Sequence, residues 1–188
     1  QGAASAEIMC EIVGDAEIGI IQINGLTGNS VAQLRGDGFR ETVASNCPNV
    51  SILAEQPGDW NADDSQIAAS EMLTSVGVEN VQGMYAADDT MVKGGIDAFK
   101  ARDIAVADLF ITSIGNTFLG NPLVGSGELD GTIFQTSSWD GENAVIGIHA
   151  AMTGATEKGR DDGASVLYMP NPKVTIDNWD DVSVAPEW

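Results

Sequence analysis

Five side chains in this sequence are of the right types to bind a neutral, hydroxyl-rich molecule: Arg35, Trp60, Asp88, Asn116 and Gln135. A hydroxyl both donates and accepts, so a guanidinium, a carboxylate and two carboxamides can hold several of them as directional pairs. An indole adds a flat apolar plate for the C–H face of a sugar ring. Catalytic chemistry is poorly provided for. The single histidine, His149, lies in an apolar stretch and reads as a packing residue rather than a base. GxSxG, GxxxxGK[ST] and HExxH are all absent, and GLTGNS at 25–30 does not complete GxGxxG. Asp88 and Asp89 would need a lysine at a neighbouring strand end to act as a phosphoacceptor site, and none is there. Neither an enzyme, a metal site nor a cofactor is indicated.

The five residues gain weight from the elements that carry them. Ile18–Ile23 is an apolar, β-branched run that reads as a buried strand. It breaks at Gly25-Leu-Thr-Gly28, and Asn29 or Ser30 can cap the helix to Asn46, with Arg35 almost two turns in. A strand over 50–54, the turn QPGDW and a helix over 61–76 follow, with Ile67, Ala68, Met72 and Leu73 inward. Strand 81–86, helix 90–102, strand 109–114, a short helix near 121–126 and strand 131–135 continue the alternation. A helix over 141–153 and a strand over 166–169 precede an acidic, tryptophan-containing tail. Such alternation predicts an α/β fold with a doubly wound, mainly parallel sheet and helices on both faces. All five candidates then fall at or near the carboxyl ends of strands, where open α/β sheets collect ligands. Each has a plainer role available: a solvated arginine, a loop-anchoring tryptophan, a capping aspartate. Their joint placement favours the binding role.

Composition narrows the partners. Twenty-eight acidic against eight basic residues give a net charge of −20, which repels a phosphate backbone and makes nucleic acid a poor partner. The acids are dispersed, as expected of a solvated surface rather than a binding tail. Apolar content of 43% is enough for a core, and no apolar run is long enough to span a membrane. The first residues do not resemble a chain start, so the numbering is expected to begin inside a longer precursor. Cys10 and Cys47 could form a disulfide in an oxidising compartment, or remain two buried thiols. Helix 141–153 is apolar nearly all round, which calls for burial on most sides.

The order of motifs resembles the carboxyl-terminal lobe of the ribose/galactose-type periplasmic binding proteins, the sugar receptors of ABC importers. GLTGNSVAQLRGDGF (25–39), QPGDW (56–60), YAADDTMVKGGIDAF (85–99) and GELDGTIFQTSSWDGENAV (127–145) carry the resemblance, in the family's order and spacing. It implies that Arg35 contacts sugar, that Trp60 is the stacking aromatic, that Asp88 takes hydroxyls, and that Gln135 stands at an interlobe crossing and touches the ligand. One position departs from the family: Gly115 stands where an aspartate is common, so Asn116 would have to substitute.

The resemblance also implies one lobe of a two-lobed receptor, type I in fold. Residues 1–140 would be the lobe, 141–165 a crossing helix and loop packed on an amino-terminal lobe outside this sequence, and 166–188 a return strand and tail. The implied setting is the periplasm or cell exterior, the ligand a monosaccharide or polyol, and the partner an ABC importer permease. Two other classes share the fold: the effector-binding domain of a LacI-type regulator, which would need an upstream helix-turn-helix, and the sensing domain of a membrane receptor, which would need a downstream membrane helix.

Overall fold

The computed structural model describes residues 1–153 and 169–188. Helix α1 (Gly2–Val13) leads into strand β1 (Ile18–Asn24), which is buried at every position but its last. The Asn29 side chain caps helix α2 (Ser30–Asn46) by accepting from the N–H groups of Val31 and Ala32. Strand β2 (Val50–Pro57) runs beyond the predicted Ala54, and its alternating burial marks a sheet edge. Helix α3 (Ala62–Val76) is capped by Asn61, with Asp63 and Asp64 at the positive end of its dipole.

Strand β3 (Gly83–Ala86), helix α4 (Asp89–Lys100), strand β4 (Phe110–Gly115), short helix α5 (Gly120–Ser126) and strand β5 (Gly131–Phe134) complete the alternating part. Helix α6 (Ser137–Thr153) starts four residues before the predicted Gly141. Strand β6 (Lys173–Thr175) then returns to the sheet.

The sheet order is β2-β1-β3-β4-β5-β6, parallel throughout except for β6, which runs antiparallel to β5. Helices α1 and α2 pack together on one face, and α3 and α4 pack together on the other. One continuous core joins the layers, with Ile20, Ile21, Ile23, Met84, Ile111 and Ile133 of the sheet fully buried. The predicted α/β class is therefore the observed one.

Three details differ from expectation. Ile67 is 58% exposed, because α3 turns Ala68, Ala69, Met72 and Leu73 inward instead. Of the strand predicted at 166–169, residues 166–168 lie outside the described residues and Met169 is in no strand. The final strand is Lys-Val-Thr at 173–175, short and preceded by Pro170 and Pro172, where a sequence pattern gives little signal.

Cys10 and Cys47 are joined in a disulfide, with Cα atoms 5.5 Å apart. It ties the last turn of α1 to the end of α2 and closes a loop of 37 residues, a constraint worth on the order of 3–4 kcal/mol. On α6, Val145, Ile148 and Met152 are 68%, 61% and 82% exposed, so the apolar helix keeps an uncovered side among the described residues.

Candidate functional site

In this topology β1 leads to β2 on one side and β3 lies on the other, so the direction of winding reverses between β1 and β3. A crevice opens at the carboxyl ends of the strands at such a point. Helix α2 and the turns after β2, β3 and β5 supply its side chains.

Arg35 occupies the centre. It is 7% exposed, and its guanidinium is held from three directions: Nε donates to Gln1 Oε1 at 3.0 Å, Nη1 to the Ala87 carbonyl at 2.7 Å, and Nη2 to Gln135 Oε1 at 2.7 Å. The Tyr85 hydroxyl donates to the Arg35 carbonyl at 3.4 Å, and the Tyr85 ring stacks on Phe39 at 3.9 Å between centroids. These contacts fix the second turn of α2 against β3 and the residue that follows it. Three of the five guanidinium N–H groups are engaged by the protein among the described residues. Burial pulls the Arg35 pKa down from its ordinary value; Tyr85, Asp88 and Asp89 oppose that shift and favour the charged form.

Trp60 lies beside it, with the guanidinium carbon 5.7 Å from the ring centroid. Two features aim this ring. Asp59 and Trp60 both have positive φ, 50° and 61°, a backbone region costly for a bulky side chain. Gly25 leaves room for the indole, since a methyl there would fall 2.2 Å from it. An arginine stacked by an aromatic keeps its plane while its edge still donates.

Asp88 is the N-cap of α4, accepting from the Met91 N–H at 2.7 Å. The capping role and the placement at the strand end are therefore both realised. Burial raises its carboxyl above the ordinary aspartate value, opposed by the Met91 hydrogen bond and by Arg35. Its neighbour Asp89 is fully buried and points the other way. It accepts from the Ser113 hydroxyl, from the Thr132 hydroxyl at 2.9 Å and from the Thr117 N–H at 2.7 Å, tying β4, β5 and the turn after β4 together.

Asn116 departs from expectation. It is fully buried, its Nδ2 donates to the Val184 carbonyl, and its Oδ1 accepts from Asn121 Nδ2 at 3.1 Å. The positive φ of Asn116 turns the chain inward, so its carboxamide serves the fold instead of replacing an aspartate acceptor. Arg35, Trp60, Asp88 and Gln135 are thus brought together; Asn116 is not. Gln1 and the Ala87 carbonyl belong to the cluster as well. The sequence carried no signal for either, because one contact depends on helix docking and the other on a main-chain atom.

A match to the periplasmic binding protein domain covers residues 1–156. The ribose import binding protein of Haemophilus influenzae is 29% identical over 145 residues, covering 77% of this chain and 47% of that protein. Its counterpart in Escherichia coli is 30% identical over 126 residues, 67% of this chain and 40% of the relative. The chain thus spans less than half the length of these two curated relatives. Among solved structures, a solute-binding protein from Actinobacillus succinogenes with bound D-allose shares the fold at a TM-score of 0.82 and 20% identity, over 95% of this chain and 59% of that one. The arabinose-binding component from Shewanella sp. ANA-3 does so at 0.83 and 18%, over 95% and 57%. A shared fold, a matching domain over most of the chain and relatives named as ribose import binding proteins agree: this chain belongs to the periplasmic binding protein family.

Proposed function

We propose that this chain is one lobe of an extracytoplasmic solute-binding protein that captures a monosaccharide or sugar-like polyol for an ABC importer. The observation that carries the reading is Arg35, buried yet charged, shared between Gln135 and the Ala87 carbonyl and stacked beside Trp60. A charged, planar donor with spare N–H groups beside an indole suits a ring bearing hydroxyls. Arg35 and Gln135 would contact hydroxyls from one side, Asp88 would accept from another, and Trp60 would pack on the ring face. Binding of this kind moves no covalent bond, and no catalytic role is assigned to any residue.

In this reading the site is half a site. Residues 1–140 form the lobe, and the segment from about 141 to 165 crosses to an amino-terminal lobe that covers the exposed side of α6. Residues 166–188 return from that lobe. Closure of the two lobes about the crossings would bury the sugar and present the closed form to a permease. The Cys10–Cys47 disulfide and the charge of −20 support an oxidising, extracytoplasmic setting over a DNA-bound regulator.

Calorimetry tests the reading. The two-lobed protein is expected to bind one of D-ribose, L-arabinose or D-allose at 1:1, and a polypeptide of residues 1–188 to bind the same sugar at least about 100-fold more weakly, since half the contacts are lost. Tight binding by the single lobe would overturn the half-site reading. Failure of the two-lobed protein to take up any of the three would remove its main support as a sugar receptor.

A further inference from the structure

The junction that carries Gln135 is short. β5 ends at Phe134 and α6 begins at Ser137, so only Gln135 and Thr136 belong to neither element. In the proposed receptor this is a point at which the lobes hinge, and its pose sets where the Gln135 side chain meets Arg35. A helix opening with Thr-Ser-Ser would ordinarily be capped by its own threonine hydroxyl. Here the Thr136 hydroxyl is buried and has no partner among the described residues. The cap comes instead from far along the chain. Glu187 accepts from the Ser138 N–H at 2.7 Å and from the hydroxyls of Ser137 and Ser138 at 2.9 and 2.6 Å. Trp188 Nε1 donates to the Gln135 carbonyl at 3.1 Å, and the Trp188 main-chain oxygen accepts from the Phe118 N–H at 2.7 Å.

The segment leading to these two residues is itself anchored. The Val184 and Trp179 carbonyls accept from the carboxamides of Asn116 and Asn121. The Val184 side chain is buried with Phe134 and Val174, and the Trp179 indole lies on α5 where Gly125 leaves space; a methyl there would fall 2.8 Å from the ring. The buried Asn116 and the uncapped Thr136 therefore have one explanation.

We propose that residues 184–188 form a strap that fixes the β5–α6 junction, with Glu187 and Trp188 as positioning residues for Gln135. The strap itself stands on these contacts; its effect on affinity rests on the reading of Gln135 as a sugar contact. An anionic cap at the first turn of α6 opposes fraying where the helix must pivot. The indole hydrogen bond fixes the peptide plane from which the Gln135 side chain departs.

Hydrogen exchange on the ligand-free two-lobed protein tests the strap directly. Glu187→Ala is expected to speed exchange of the Ser138 amide by about tenfold, with strand β1 unchanged, because a charge-assisted bond at a helix terminus is lost. Glu187→Asp, which keeps the carboxylate, should restore part of the protection. Trp188→Phe keeps an aromatic ring, smaller than the indole, and removes the donor. Together with Glu187→Ala it is expected to weaken sugar binding roughly tenfold, mainly through a faster off-rate. Unchanged exchange at Ser138 in Glu187→Ala overturns the strap, whatever the sugar does. Faster exchange with unaltered sugar affinity overturns the positioning role. A wild type that binds none of the three sugars while Ser138 behaves as expected supports the strap and counts against the sugar reading alone.

Discussion

The turns after β5 and β4 each present a carboxamide, Gln135 and Asn116, and the fold treats them in opposite ways. Gln135 is half-buried, gives its oxygen to Arg35, and has no hydrogen bond from its Nε2 among the described residues. Asn116 is fully buried, and both ends of its side chain are spent on Val184 and Asn121. The carboxamide group and the strand-end position are the same in both cases. What separates them is whether the surrounding chain has already consumed the polar group. A carboxamide with capacity left over can serve a ligand, whereas one satisfied internally contributes to stability.

The contrast can be broken by substitution. Arg35→Ala in the two-lobed protein is expected to lower sugar affinity on the order of 100-fold or more, because a charged donor to the ligand goes and Gln135 loses its partner. Calorimetry would detect this, and unchanged affinity would return Arg35 to a purely structural role. Trp60→Ala is expected to cost roughly tenfold in affinity through the lost stacking plate, and Trp60→Phe distinctly less. Asn116→Ala should behave in reverse. Removing the donor to the Val184 carbonyl and one of the two acceptors of Asn121 Nδ2 is expected to cost about 1–3 kcal/mol in denaturant unfolding, while any loss of sugar affinity stays within the roughly tenfold that loosening the strap produces. A large loss of affinity without loss of stability would restore Asn116 to the site.

The smallest effect concerns Asp88. Its carboxyl lies above the ordinary aspartate value, so the folded chain holds that proton more tightly than the unfolded chain. Ionising it therefore lowers stability between the ordinary and the raised value, and acidification through that window recovers stability. Sugar affinity runs the other way: below the raised value Asp88 loses its charge and part of its strength as a hydroxyl acceptor. Affinity measured against pH should fall earlier than for an ordinary aspartate, and Asp88→Asn should flatten that fall.

Much of the frame could be read from the sequence because its signals were local. The β-branched run of β1, the Asn29 cap and the alternation of strand with helix each depend on neighbouring residues. Trp60, Asp88 and Gln135 follow strands that the local pattern marks, so their shared position at one edge of the sheet was legible too. The misses were long-range. Arg35 is fixed by Gln1, Ala87 and Gln135, the last of them 100 positions away, and helical spacing alone could not tell this from a solvated arginine. The bond from Asn116 to the Val184 carbonyl gave no sequence signal, because the two residues lie 68 positions apart. Strand β6 owes its three residues to pairing with β5, not to its own propensity.

The uncovered side of α6 has a colloidal consequence. A polypeptide of these 188 residues would carry two opposed tendencies, a stripe of Val145, Ile148 and Met152 that favours self-association and a charge of −20 that resists it. The repulsion acts over a Debye length, about 10 Å at 0.1 M salt and about 3 Å at 1 M, whereas the apolar attraction is short-ranged and not weakened by salt. Dispersed acid would then keep copies of the chain apart in dilute buffer, and added salt would let their helices meet.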